Sequence, residues 1–184
     1  MKKRLSILSA LLALTLVLGL GACAQHNGGN DTSAPSETAQ QPLGISSVQE
    51  VGGIDIPDFR ISINDIEVTH ETVAGLTAYS ITTTTINRMG NTNEVNYIGF
   101  AFRDVLEAAG FTEEYVWLEA TATDGYFIRL TGDVIYESTT LLTIRINDSP
   151  FVEAPWLTPN SIEDAPYHIR NVAYILLHTT EGAP

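Results

Sequence analysis

Thiols, lysines and metal-ligand spacings are what this chain has least of. There is a single cysteine, Cys23, so no intramolecular disulfide can form. Lysine occurs only at Lys2 and Lys3, which excludes a Schiff-base lysine anywhere in the body of the chain. The four histidines, His26, His70, His168 and His178, show neither H-x-x-x-H nor H-E-x-x-H spacing, the patterns that place two imidazoles on one zinc ion. No D-x-[DN]-x-[DN]-G loop is present for calcium and no G-x-S-x-G elbow for a serine nucleophile. Positive charge is also scarce. After residue 22 the only strong bases are Arg60, Arg88, Arg103, Arg129, Arg145 and Arg170. These six face 22 acidic residues, a formal net charge of −16. Such a field repels nucleic acid and anionic lipid surfaces.

The first residues read as a targeting segment. Met1-Lys-Lys-Arg4 is a positive n-region, and Leu5 to Leu20 is an apolar run too short to span a bilayer comfortably. It ends in Leu20-Gly-Ala-Cys23, which resembles the lipobox of bacterial lipoproteins. That resemblance implies that residues 1–22 are removed and that the Cys23 thiol carries a diacylglycerol. The protein is then expected at the cell membrane, lipid-anchored on the extracytoplasmic face, with no thiol left for a nucleophile or a metal. Residues 23–44 form the lipidated cysteine and a tether, because Ala24 to Leu43 is rich in Gln, Asn, Gly, Ser, Thr and Pro and too polar to bury anything. A flexible segment of this length has a reach of roughly 25 Å. Residues 45–184 remain for one globular domain, long enough to bury a core without staples.

Within that domain the most informative stretch is Tyr97 to Asp133. Phe102, Val105, Leu106 and Ala109 fall on one face of a helix, and Gly110 stands where a left-handed residue stops it. Tyr115 to Thr123 reads as a strand, Asp124-Gly125 as a tight turn and Tyr126 to Leu130 as the returning strand. Elsewhere, Phe59 to Val68 alternates as a strand with Asn64-Asp65 as a turn inside it. Thr69 N-caps a short helix ending near Gly75. Ala78 to Ile86 and Ser138 to Ile146 are strands by composition, the second closed by Asn147-Asp148-Ser149-Pro150. Glu94 to Ile98 leads into the helix. Phe151 to Pro166 carries three prolines and reads as a loop. Ile169 to His178 is a nearly continuous apolar run, expected as a strand buried on both faces. The fold class is α+β: a mostly β core with a mixed sheet and one or two short helices.

The order of elements also resembles a known family. Tyr97-Ile-Gly-Phe-Ala-Phe-Arg-Asp-Val-Leu-Glu-Ala-Ala-Gly110, then Val116 to Ala122, then Asp124-Gly125-Tyr126, looks like the molybdopterin-binding domain of sulfite oxidase-type oxidoreductases. Ala154-Pro155-Trp156-Leu157-Thr158-Pro159 resembles that family's Pro-rich loop and Ile169-Arg-Asn-Val172 its closing strand. The likeness runs from about Ala78 to His178 and implies that family's fold. It also implies a cleft at one end of the sheet, with Arg88, Asp124, Tyr126 and Trp156 as its candidate lining. The chain departs from the family at two positions. The family's metal-holding cysteine would fall around Thr84, where the chain has Thr83, Thr84 and Thr85. The family's Pro-rich-loop arginine is here Trp156. Without the thiol no cofactor, no metal ligand and no catalytic residue is expected. The reading is a non-catalytic module for a small anionic or planar ligand or a partner protein. The alternative is an oxidoreductase using a molybdopterin-type cofactor in a degenerate site. Arg88, Arg129 and Arg145 either converge on an anion or pair with neighbouring carboxylates. Trp117 and Trp156 serve as packing anchors or as a stacking platform.

Overall fold

The computed structural model describes residues 44–86, 90–151, 153–160 and 168–180. The targeting segment, Cys23, the tether and Arg88 all lie outside the described residues. Strands make up 52% and helices 12% of the structure, so the protein is mostly β.

In chain order the elements are β1 (Gly44–Val51), β2 (Arg60–Ile63), β3 (Ile66–Thr69), α1 (His70–Val73), β4 (Ala78–Ile86), β5 (Thr92–Ala101) and α2 (Phe102–Ala108). They continue with β6 (Trp117–Ala122), β7 (Phe127–Thr131), α3 (Gly132–Ile135), β8 (Thr140–Ile146), β9 (Ser149–Pro150), β10 (Trp156–Pro159) and β11 (Val172–His178). Two sheets result. The first runs β1-β4-β5-β8-β10, with the two-residue β9 also on β8; the second runs β3-β2-β11-β6-β7. Every pairing is antiparallel except β11 with β2, which makes the second sheet mixed.

One core joins the two sheets. Phe100, Leu142, Ile144 and Leu157 enter it from the first, and Ile61, Ile63, Leu118, Leu130, Ile175 and Leu177 from the second. Phe102, Val105 and Leu106 of α2 complete it, as the helical spacing requires. Gly110 takes φ of +88°, and the bonds from Phe111 N–H to Leu106 O and from Gly110 N–H to Glu107 O close the helix as a Schellman motif. Strand alternation turns Ile81 and Tyr97 to the opposite side of the first sheet, where they form a second small cluster with Leu141.

The turns follow their sequences. Asn64-Asp65 and Asn147-Asp148 adopt positive φ at both positions, the mirror-image turn that Asn and Asp tolerate best. Asn64 also clamps the second sheet: its Oδ1 accepts from Leu177 N–H at 2.8 Å. Thr69 caps α1 through a capping box with Thr72.

Three expectations require correction, and one strand lies where no element was assigned. The polar segment at 44–51 is a strand, β1, held on β4 by backbone bonds with most of its side chains in water; a strand with no buried face carries no hydrophobic signal. The approach to α2 is not a short lead-in but β5, ten residues long and paired along both edges. The Pro-rich stretch is not wholly loop, because Trp156–Pro159 pairs with β8; it is an edge strand, where a missing N–H is tolerated. Finally, β11 is not buried on both faces. Val172, Ile175 and Leu177 are buried, while Tyr174 and Leu176 are exposed, because only one face of the second sheet is covered.

Candidate functional site

Trp156 opens β10 at the edge of the first sheet. An antiparallel bridge between Leu157 and Ile169 lays residues 168–170 alongside that edge. The register sets Arg170 opposite Trp156 and His168 opposite Thr158. The Arg170 guanidinium accordingly lies 4.7 Å from the centre of the Trp156 ring, within cation–π range. The His168 ring meets Tyr97 edge-on at 5.1 Å. Thr158, buried, shares a 2.6 Å hydrogen bond with Thr143.

The Asp124-Gly125 turn reaches the same neighbourhood through the backbone. Val172 N–H donates to Pro155 O and Thr123 N–H to Asn171 O, both at 2.9 Å. Asn171 adds a side-chain bond, its Nδ2 donating to Glu153 at 2.9 Å. Asp124 Oδ1 accepts from Tyr126 N–H at 3.0 Å, an Asx turn that fixes the hairpin, and Tyr126 stands half exposed. The chain therefore links the loop carrying Trp156 to the turn carrying Asp124 and Tyr126. Arg88, the fourth candidate, lies outside the described residues.

Electrostatics single out Arg170. Arg60 pairs with Glu67 at 3.1 Å, Arg103 with Asp104 at 3.2 Å, Arg129 with Glu119 at 3.0 Å and Arg145 with Asp55 at 3.6 Å. Arg129 and Arg145 thus serve neighbouring carboxylates on different sheets and do not converge. Among the described residues Arg170 is the one arginine without a carboxylate partner, and it is exposed. Its charge is felt by both rings beside it. Burial, and secondarily Arg170, push the His168 imidazole down to about 4, so it is neutral at ordinary pH. Burial raises the Tyr97 phenol, with Arg170 partly offsetting the effect. His168 Nε2 is shielded from solvent without a hydrogen-bond partner.

His168 should therefore weaken the fold in mild acid. Its folded-state affinity for a proton is depressed, so between pH 6.5 and about 4 the unfolded chain binds more protons and stability falls as pH falls. The full effect is roughly 2 to 3 kcal/mol after allowing for partial exposure. Denaturant midpoints at pH 7 and pH 4 measure it. His168→Gln should lose less stability across that interval than the parent, and an identical loss in both would remove His168 as the cause.

Thr84, the position that the resemblance assigns to a metal-holding cysteine, is buried with its hydroxyl unpartnered, as is Thr83. Neutral hydroxyls are hard, weak donors and do not replace a thiolate on molybdenum. The residues present do not fit such a centre. Among the described residues no three or more His, Cys, Asp or Glu side chains are grouped to hold a metal ion.

No protein-family model matches the chain, and no curated protein matches it significantly. Sequence reasoning chose Trp156, Asp124 and Tyr126 but passed over Arg170 and His168. The bridge that brings those two to Trp156 joins residues twelve apart in sequence, which no local pattern announces.

Proposed function

We propose that this protein is a membrane-anchored extracytoplasmic lipoprotein whose globular domain has a sulfite oxidase-type scaffold and binds a small planar anion without transforming it. One observation carries the ligand class: an exposed arginine with no carboxylate partner, laid over a tryptophan, in a chain with a surplus of acid. A guanidinium has fixed positive charge and offers a fork of donors to an anionic group, while the indole offers a flat apolar surface to a ring. The neutral His168 and the backbone-linked Asp124–Tyr126 turn border the position. The thiol-free Thr83-Thr84 segment supports a binding role over a redox one. The Leu20-Gly-Ala-Cys23 sequence supports the anchor.

Titration of tryptophan fluorescence with pterin-6-carboxylate, a planar anion, tests the reading. Saturable quenching is expected, weakened about tenfold by Arg170→Ala, the loss typical of one charge-assisted hydrogen bond. Arg103→Ala should leave it unchanged. No quenching, or quenching indifferent to Arg170, would reject the site. Molybdenum in stoichiometric amount, or a pterin released on denaturation, would favour the oxidoreductase instead. In the same preparation, Cys23→Ala should move the protein out of the membrane fraction.

A further inference from the structure

The outer face of the second sheet exposes Phe127, Arg129, Tyr174 and Leu176. Strand register arranges its side chains in rows across β7, β6 and β11. Phe127, Thr121 and Tyr174 form the first row. Arg129, Glu119 and Leu176 form the next, and Thr131, Trp117 and His178 the third. Phe127 is 51% exposed and Tyr174 40%, unusual values for aromatic rings on a sheet. They stand two strand spacings apart, about 10 Å.

Beneath and beside these rings the face is ordered rather than loose. The Trp117 and His178 rings stack, with centres 3.6 Å apart and planes 4° from parallel. The Arg129 guanidinium lies 5.6 Å from both the Trp117 and the Phe127 ring, and its Nε donates to Glu119 at 3.0 Å. Between the two exposed rings Thr121 is 6% exposed, and its hydroxyl has no hydrogen-bond partner. The Trp117 indole N–H is likewise buried and unpartnered. Two desolvated polar groups on one face are a standing cost unless something satisfies them.

Charge narrows the class of partner. Arg129 is neutralised by Glu119 and Arg60 by Glu67, so the face offers no net charge to a charged ligand. The chain after residue 22, at −16, repels nucleic acid, anionic lipid and a second copy of itself. What suits the face is an uncharged chain with apolar CH surfaces for the rings and hydroxyl edges for Glu119, Arg129 and Thr121.

We propose that this face binds an extended, uncharged β-1,4-linked glycan, with pyranose rings stacked on Phe127 and Tyr174. In such a chain alternate sugars present the same face, and one disaccharide repeat covers the span between the two aromatic rings. The hydroxyls between them fall over Thr121 and the Glu119–Arg129 pair. This surface lies on the other sheet from Trp156 and does not depend on the anion site.

Isothermal titration of the full chain with hexamers of β-1,4-linked glucose and of β-1,4-linked N-acetylglucosamine tests the proposal. Saturable binding to at least one hexamer is expected. Phe127→Ala and Tyr174→Ala should each weaken it about tenfold, the upper range for loss of one aromatic contact. Both side chains are exposed, so the variants should melt with the parent, and circular dichroism checks that they do. Thr121→Val, which keeps the shape and removes the hydroxyl, should weaken binding as well. Failure of both hexamers to bind, or undiminished binding by the Phe127→Ala/Tyr174→Ala double variant, would overturn it. So would a concentration-dependent dimer in sedimentation that Tyr174→Ala dissolves, since the face would then belong to a second copy.

Discussion

Replacing Gly99 with alanine should remove most of the protein's stability. Gly99 lies in β5, which is paired on both sides, with β4 and with β8. A Cβ built there would collide with Leu142 O, and would meet Thr143 Cα at 2.7 Å and Leu142 C at 2.8 Å. All three are backbone atoms of β8, so no side chain can swing aside. The pairing of β5 with β8 is irregular at this point, shifting register between Ile98 and Gly99, and the close approach of the two strands needs a residue without a side chain. Relief would require β8 to retreat, pulling Leu142 and Ile144 out of the core they share with the second sheet. We expect a loss of about 3 to 5 kcal/mol, at the large end for a point substitution and comparable with the whole stability of many domains. Gly75→Ala is the control: nothing lies within 4 Å of its added methyl, and it should change stability by less than about 1 kcal/mol. Urea midpoints compare the two. Equal midpoints would mean that β5 and β8 are not in such close contact.

Gly99 also shows where sequence reasoning reaches and where it stops. The helix α2 was legible because Phe102, Val105 and Leu106 repeat at its period and Gly110 ends it, both local signals. The hairpins at Asn64-Asp65 and Asp124-Gly125 were legible because few residues accept positive φ, and Asn64, Asp65 and Gly125 do. β1 was not, since an edge strand in water needs only backbone bonds, which every sequence can supply. β10 was masked by prolines, whose cost vanishes at an edge. The apolar run of β11 pointed to burial on both sides, yet Tyr174 and Leu176 face solvent. One strand cannot tell whether a second layer covers its sheet. The candidate site follows the same division. Trp156, Asp124 and Tyr126 belong to recognisable short segments, whereas the approach of Arg170 to Trp156 depends on a bridge formed only in the fold.

A buried and an exposed position of α2 should respond very differently to the same new charge. Leu106 is 2% exposed and packs in the central core with Phe102 and Val105. Leu106→Asp would remove that apolar contact and put a carboxylate into the apolar core, at a cost of about 4 kcal/mol or more. For a domain of this size the melting temperature should drop by about 12 to 20 °C. Arg103 lies just outside the buried stripe, its side chain half exposed, with the adjacent Asp104 as ion-pair partner. Such a surface pair contributes little, and Arg103→Asp places an acid in the first turn, where the helix dipole favours it. Added repulsion from an already acidic surface works against that gain. The net change should stay within about 1 kcal/mol, a shift of only a few degrees. Melting curves followed by circular dichroism at one pH and salt concentration separate the two variants. A similar drop for both would show that the face carrying Phe102, Val105 and Leu106 does not hold the two sheets together.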